Sequence, residues 1–524
     1  MLQRIGKVTY DHGLILWSLL IILGAAGIMV TALPAGAVEV TELSPNREIS
    51  ELAVPGESTT APVELAELQS LADILQVAMD NSPSLKIAEF ELQEALAGRQ
   101  QVGAALKPQL SIAGQHKVEN AANNSSAIKQ LLAGVMEPDE RLNTTMGSLT
   151  WYQQLGPNAQ LKGAIQQGET GHEISLLRRE QALKELITSA QAGYHGVLRA
   201  YNGLNLARQA RDHAGLNLQA AEDQLRLGTA TPLDVLREKN AYLESEQTRQ
   251  AAQMGVEMAV LALLQRMGLT SVDTDTALGW AKQLSQSNEM VVQPWTVDLD
   301  TAFMYMLEHR PELAMVRKQQ ALAEISYDQT KAERDWTVKL SGQYLPNDKT
   351  VLQSSLDSNR TLVSTVARTE MRGLPDLPGP SGESVDPWQV DLSATYRFGD
   401  GGAKKAQLAA KEAALEKAKL QVAMAQDGFY LELNGALQQL DQTWRAYLLA
   451  LEGEQAAQET LAQLELLYKL GSLTSKEVRE GQLMVAQAKN RVLDSVLTYE
   501  AQKSKVAVAM GIDGEILAQA VAKN

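Results

Sequence analysis

The chain carries the same arrangement of segments twice. Residues 71–115 align with residues 299–343 without a gap, at a constant offset of 228 residues. A second pair of matching segments lies at an offset of 243 residues, where Gly228 meets Gly471. A duplication of this size predicts a pseudo-symmetric protein in which both halves have the same layout. Such a layout excludes most single-site enzymes.

The composition favours long helices packed side by side. Aromatic residues make up 5% of the chain and cysteine is absent. Few aromatics with abundant Ala, Leu, Gln, Glu and Lys are typical of extended helices rather than of several compact cores. The net charge of −16 disfavours nucleic-acid binding, because phosphate requires basic surfaces. Without cysteine, disulfides, thiolate metal sites, cysteine nucleophiles and a lipid-modified N-terminal cysteine are excluded.

Residues 1–37 have the features of a secretory signal peptide. Arg4 and Lys7 form a basic start, residues 13–30 are apolar apart from one serine, and Ala37 ends a small-x-small cleavage pattern. The alternative is a retained membrane anchor, because about 18 apolar residues can nearly span a bilayer. No later segment is apolar enough for a transmembrane helix, so any further membrane contact would use β-strands.

The remaining chain divides into four segments. Residues 38–69 are acidic and proline-containing, which predicts a disordered linker. A first repeat over residues 70–285 and a second over residues 286–512 each contain a helix, two strands and a long helical hairpin. Residues 513–524 form a C-terminal tail.

Proline, glycine and polar clusters mark the segment boundaries in the first repeat. The patterns predict a helix over 71–106 interrupted near Pro83, strands over 109–118 and 147–155 flanking a loop over 119–142, and helices over 158–227 and 232–267. Gly228 ends the first long helix, and Thr231 is the expected N-cap of the next one.

The second repeat follows the same order. The patterns predict a helix over 299–335, strands over 338–345 and 389–398 flanking a loop over 346–386, and helices over 402–470 and 474–510. The strand over 389–398 alternates apolar and polar residues, as an isolated half-buried sheet would, but it also has aromatics at both ends of its apolar face. That combination favours a membrane-barrel strand with lipid on one side and water on the other. The expected membrane-strand aromatics are Trp151, Trp388, Tyr396 and Phe398.

Four such strands cannot form a closed wall alone. Outer-membrane barrels need at least about eight strands, and an open sheet edge in lipid would leave backbone groups unpaired. Several chains would therefore have to share one barrel. The amphipathic hairpins would continue from it as a tube roughly 100 Å long, estimated from the helical rise per residue. A membrane barrel continued by a helical tube predicts a conduit.

With these features together, the chain resembles the TolC family of outer-membrane efflux proteins over residues 70–512. The motifs that carry the resemblance are Asn81-Ser82-Pro83-Ser84-Leu85 with its echo Arg310-Pro311-Glu312-Leu313, and Gly228-x-x-Thr231-x-x-Asp234-Val235 with its echo at 471–478. The resemblance implies a mixed α/β membrane protein, an α-helical coiled-coil barrel continued by a shared transmembrane β-barrel with four strands per chain. It also implies an outer-membrane homotrimer with a long periplasmic portion, docked to a periplasmic adaptor (membrane fusion protein) and an inner-membrane pump.

The resemblance further implies a constriction at the hairpin tips. Its two acidic positions fall on Glu477 and Glu480, which lie three residues apart and so share one helical face. Three copies would place six carboxylates around a narrow opening, which favours cations. The alternative is that both are solvated acids in a first helical turn, where the helix dipole favours negative charge.

The resemblance also implies a latch between neighbouring tips. Tyr468 matches the latch tyrosine and Asp234 its acidic partner, whereas Leu473 stands where the latch arginine is expected. A buried seam aromatic and a first-turn acid are the alternatives for these two residues. The tip residues implied for adaptor docking are Gly228, Thr231, Gly471 and Thr474, although Gln224 and Leu467 replace an expected arginine.

No pattern in the sequence indicates catalysis, a cofactor or a metal. The six histidines are scattered, and His195 and His213 are expected on helix surfaces. The glycines at 399, 401 and 402 follow a strand but lack the spacing of a phosphate-binding loop. The sequence therefore predicts a passive outer-membrane export duct. The competing hypothesis is a secreted periplasmic coiled-coil scaffold or adaptor without a pore.

Overall fold

The structure is a computed structural model that describes residues 65, 68–120, 141–269, 273–286, 292–347, 349–372 and 388–523. The predictions of a signal peptide over 1–37 and of a linker over 38–69 lie almost wholly outside the described residues. The central part of the loop predicted over 119–142 lies outside them as well.

Ten helices account for most of the described chain: α1 Leu71–Asn81, α2 Pro83–Ala104, α3 Ala159–Arg226, α4 Pro232–Met267, α5 Thr274–Gln286, α6 Leu299–His309, α7 Pro311–Lys331, α8 Ala403–Lys469, α9 Ser475–Met510 and α10 Gly514–Lys523. Helices α3 and α8 have 68 and 67 residues, so each is roughly 100 Å long. α3 pairs with α4 and α8 pairs with α9, which confirms the two predicted long hairpins. Within the described residues, none of these helices is long and apolar enough to cross a membrane.

The described strands form one antiparallel sheet. They are β1 Gln109–Asn120, β2 Arg141–Gln154, β3 Trp336–Asn347, β4 Thr350–Asp357, β5 Thr361–Arg372 and β6 Trp388–Tyr396. Their order across the sheet is β1-β2-β5-β4-β3-β6. All four predicted strands are present, although β2 starts six residues earlier than predicted.

Two of these strands correct the sequence-based prediction. The loop predicted over 346–386 contains β4 and β5, so the sheet has six strands per chain instead of four. Both strands are rich in Ser and Thr, which reads as a polar loop when the segment is taken alone. Their pairing with β2 and β3 supplies the backbone hydrogen bonds that make them strands.

Two helical segments also differ from the prediction. The helix predicted over 299–335 is broken at Arg310, whose extended backbone precedes the proline that starts α7. The segment predicted as a C-terminal tail contains α10, where Leu517 is buried. Its first residue, Gly514, lies against the Leu183 side chain of α3.

In both repeats, the end of the long hairpin packs against the pair of short helices in the same way. In the first repeat, Gly268 at the end of α4 (φ +72°) lies against the carbonyl of Asn81, at the break between α1 and α2. In the second, Gly511 at the end of α9 (φ +83°) lies against Arg310 between α6 and α7. In each repeat, the end of the long hairpin therefore contacts the short helical pair at the duplicated proline motif.

Candidate functional site

The tips of the two long hairpins have the same backbone geometry. Gly228 and Gly471 lie two residues after the last residue of α3 and α8, next to the C-caps Leu227 and Leu470, and adopt left-handed φ values of +78° and +75°. At the first tip the amide of Gly228 donates to Leu225 O (3.0 Å) and that of Thr229 to Gln224 O (2.9 Å). The same pair of bonds recurs at Gly471 and Ser472. This pair of hydrogen bonds is the Schellman motif, a helix C-terminus that depends on a glycine in the left-handed conformation.

Thr231 and Asp234 cap the helix that follows the first tip. The amide and hydroxyl of Thr231 donate to Asp234 Oδ2 at 2.9 and 2.7 Å, and the amide of Asp234 donates back to Thr231 Oγ1 at 3.3 Å. The hydrogen bonds from Thr231 are the main cause of a lowered pKa of the Asp234 carboxyl. Asp234 therefore acts within one chain as the acidic member of a capping box.

Thr474 and Glu477 form the equivalent box at the second tip. The amide and hydroxyl of Thr474 donate to Glu477 Oε2 at 2.7 and 2.9 Å. Glu480, one turn further along α9, is exposed. The two acids share a helical face, with Glu477 half-buried and hydrogen-bonded within its box and Glu480 exposed.

Tyr468 lies in the last turn of α8 with 48% of its surface exposed. Within the described part of one chain, no hydrogen bond or ion pair joins it to Asp234. Leu473, at the position where an arginine was expected, is half-buried.

The hairpins are joined near their tips by residues that the sequence analysis did not identify. Lys476 Nζ of α9 lies 2.7 Å from Glu238 Oε1 of α4. One turn further along α9, the guanidinium of Arg479 donates to Asn217 Oδ1 of α3 at 2.6 Å. The carbonyl of Arg479 also lies 3.0 Å from His213 Nδ1. His213, which was expected on a helix surface, is therefore half-buried and hydrogen-bonded to α9. Only the packing of one hairpin against the other brings these residues together.

His195 is a second correction to the sequence analysis. It was expected on a helix surface, but it is 2% exposed. Burial, followed by the nearby charge of Arg199, lowers the pKa of His195 to about 4. This part of α3 is covered on several sides by other helices, which the helical pattern of α3 alone does not reveal.

The four aromatic residues of β3 and β6 lie in two rows on one face of the sheet. Trp336 and Tyr396 are opposite each other at the end nearer the helices, and Tyr344 and Trp388 are opposite each other towards the far end. Phe398 follows the end of β6 and contacts Tyr396 edge-on, with ring centroids 4.9 Å apart. Eight residues separate Trp336 from Tyr344, which corresponds to about 27 Å of strand.

Trp151 of β2 is on the same face, opposite Leu110 of β1.

Among the described residues, no group of three or more His, Asp or Glu side chains could hold a metal ion.

Part of the chain matches a known protein family. The sequence profile of the outer membrane efflux protein family matches residues 74–269. No curated protein matches the chain in sequence.

Several solved structures share the fold. CmeC, an outer membrane channel of Campylobacter jejuni, is 14% identical with a TM-score of 0.61, over 94% of this chain and 98% of its own. VceC, an outer membrane protein of Vibrio cholerae, is 16% identical with a TM-score of 0.58, over 84% and 96%. MtrE, an outer membrane channel of Neisseria gonorrhoeae, is 16% identical with a TM-score of 0.57, over 84% and 89%. At these identities the likeness establishes a shared fold.

Proposed function

The chain belongs to the outer membrane efflux protein family, as an efflux channel with a long periplasmic helical domain, and from this premise we propose that three copies form one export duct. The sheets close a shared transmembrane barrel, and the long hairpins form a periplasmic tunnel. An adaptor protein and an inner-membrane pump dock at the tips and deliver the cargo. The duct itself is passive.

The geometry of the sheet is the observation that carries this proposal. One face is apolar and has aromatic rows about 27 Å apart along β3, from the rise per strand residue. With a strand tilt of about 35–45°, this corresponds to roughly 20 Å along the membrane normal, close to the apolar band of about 25 Å in outer-membrane barrels. The long hairpins start at the end of the sheet marked by Trp336 and Tyr396.

The acidic tip residues suit a cation-favouring constriction. Three copies carry six carboxylates from Glu477 and Glu480, and a ring of such groups favours cations in a narrow pore. Thr474 holds the Glu477 carboxylate at its own helix end, whereas Glu480 is exposed, so Glu480 is the acid that is better placed to face the opening. Gly228, Thr231, Gly471 and Thr474 shape the rigid tips to which the adaptor docks.

The links between hairpins keep this opening closed at rest. Lys476–Glu238 and Arg479–Asn217 tie α9 to the first hairpin inside each chain. With Leu473 in place of a latch arginine, these bonds supply the polar part of the closure. Tyr468 and Asp234 remain the candidates for contact with the neighbouring copy.

Assembly and conduction test the proposal directly. The protein should fractionate with outer membranes, run as a trimer in detergent and conduct ions in planar bilayers. A scaffold would instead appear in the soluble fraction and leave the bilayer non-conducting, and that result would end the proposal.

The acidic constriction predicts a specific change in selectivity. Glu477→Gln with Glu480→Gln should lower the cation-to-anion permeability ratio, measured from reversal potentials in a salt gradient. Glu480→Gln alone should produce most of the decrease, because Thr474 holds the Glu477 carboxylate at its own helix end, whereas the exposed Glu480 carboxylate can face the opening. Glu452→Gln, an exposed acid of α8 far from the tip, is the control. Unchanged selectivity in the double variant would remove these residues from the pore.

A further inference from the structure

The hairpin of β4 and β5 separates the two halves of the duplicated sheet. The duplicated plan would place β2 of the first repeat beside β3 of the second. Instead, β5 pairs with β2 from Thr361 to Arg372, and β4 pairs with β3 from Thr350 to Asp357. The hairpin of residues 350–372 therefore lies inside the sheet and not at its edge, and we call it the wedge hairpin.

The wedge hairpin continues the two-faced pattern of its neighbours. Its residues Leu352, Leu356, Leu362 and Val366 fall on the face that carries Leu340 of β3 and Leu149 of β2. On the opposite face, Thr365 lies between Thr150 and Gln353. At the end of β5 away from the helices, Arg368 and Glu370 on the apolar face pair with each other at 3.0 Å. Ser354 and Ser364 also lie on the apolar face, where their hydroxyls pair at 3.0 Å, and Val351 and Val363 lie on the opposite face. The leucines and Val366 still continue the apolar face of the lipid-facing strands on either side.

The turn of the wedge hairpin is fixed at the helical end of the sheet. Ser358 exchanges two hydrogen bonds with the backbone of Val338 at the start of β3, with its amide donating at 2.7 Å and its hydroxyl accepting at 3.1 Å. On the other side, the amide of Leu155 donates to Arg360 O (2.8 Å), and Gln154 Nε2 donates to Asn359 O (2.5 Å). Arg360 has a left-handed φ of +66°. These bonds anchor the turn between β2 and β3, so the hairpin extends along the sheet from its helical end.

The two outer strands of the sheet suit pairing with further copies. β1 and β6 are the edge strands, and they run in opposite directions because neighbouring strands alternate across the six-stranded order. β6 of one copy can therefore pair with β1 of the next in the antiparallel sense. An unpaired edge in lipid is costly, so a ring of copies is the arrangement that satisfies both edges.

We propose that each copy contributes six strands to the membrane wall, so that three copies close a barrel of eighteen strands. This inference rests on the trimeric duct proposed above, but the wedge hairpin is a separate feature. The hairpin connects strand to strand and adds no helix, so it widens the barrel without widening the helical tunnel. Because barrel diameter grows roughly in proportion to strand number, the exit has about twice the cross-section that twelve strands would give.

Engineered cysteine pairs test the strand order, because the natural chain has no cysteine. Thr150 and Thr365 are neighbours whose hydroxyl oxygens lie 3.2 Å apart, so Thr150→Cys with Thr365→Cys should form a disulfide within one chain. Thr150 and Gln343 are three strand steps apart through Thr365 and Gln353, about 14 Å at the usual strand spacing. That exceeds the roughly 7 Å limit for a disulfide. We expect at least a tenfold lower yield for Thr150→Cys with Gln343→Cys in the intact trimer.

Removal of residues 349–372 should reverse this outcome. The residues that remain still connect β3 to β6, and β2 then becomes the neighbour of β3. Thr150→Cys with Gln343→Cys should bridge efficiently in the shortened chain. If that pair instead bridges in the intact chain, the hairpin does not separate the halves and the inference fails.

Thiol labelling tests whether the wedge hairpin lies in the bilayer. A membrane-impermeant maleimide should react with Thr365→Cys on the polar face at least tenfold faster than with Val366→Cys on the apolar face. Equal reaction at both positions would place the hairpin in water and overturn the inference. The oligomeric state and membrane fraction of the same samples report separately on the proposed duct. A monomeric or soluble protein contradicts the duct, whereas a membrane trimer with the wrong cysteine pair contradicts only the eighteen-stranded wall.

Discussion

At the scale of single residues, buried His195 makes the protein sensitive to acid. Its pKa is about 4 in the folded chain and about 6.5 when exposed. Between these values the unfolded chain binds a proton that the folded chain does not, so stability falls as pH drops through this window. The loss should approach about 3 kcal/mol per chain near pH 4. His195→Leu should reduce the decrease in melting temperature between pH 7.5 and 5, measured by circular dichroism.

The comparison with exposed His309→Gln controls for general effects of losing a histidine. That variant should keep the acid sensitivity of the natural chain. If His195→Leu melts with the same pH dependence as the natural chain, His195 is not the group responsible.

Two glycines with similar backbone angles should differ in their tolerance of a side chain. Gly228 has no neighbour near the position of an added Cβ, whereas at Gly268 that atom would lie 2.4 Å from Asn81 O. Gly228→Ala should therefore cost only the left-handed strain of about 1–2 kcal/mol. Gly268→Ala adds a backbone clash and should lower the melting temperature markedly more. Equal losses would show that Gly268 is not packed against the α1–α2 break.

At the scale of secondary-structure elements, the links between hairpins set the resting state of the tip. An exposed polar link contributes up to about 1 kcal/mol, so Lys476→Gln with Arg479→Gln removes up to about 2 kcal/mol and should shift the closed-to-open equilibrium by up to about thirtyfold. We expect a severalfold higher bilayer conductance. Lys469→Gln, an exposed cation at the end of α8, should leave conductance unchanged. A double variant that conducts like the natural protein would show that these links do not close the tip.

At the scale of the whole molecule, α8 presents an apolar stripe that one chain does not cover. Leu420, Met424, Leu431 and Leu449 share one helical face by their spacing, and each is at least 66% exposed. In the proposed trimer a neighbouring copy covers this stripe. Burying one leucine contributes about 1.5–3 kcal/mol, so Leu431→Glu should dissociate the trimer in detergent. Leu431→Met keeps an apolar side chain and should remain trimeric, and a trimeric Leu431→Glu would show that the stripe lies outside the interface.

The sequence alone determined those features that depend on neighbours a few residues away. Gly228 and Gly471 end their helices, and Thr231 and Thr474 begin the next ones, because helix ends are decided by local backbone angles and by hydrogen bonds within four residues. The duplication extended these local rules to both halves. It predicted the paired hairpins, the strands over 109–118 and 389–398, and the helix break near Pro83.

Only the tertiary structure decided which distant segments meet. The segment over 350–372 is polar enough to read as a loop, and it becomes two strands because β2 and β3 provide the missing backbone partners. His195 is buried because other helices cover that part of α3, and Lys476 meets Glu238 only when the two hairpins pack together. Such contacts join residues that are far apart in the chain, and no local pattern of residue types specifies the partner.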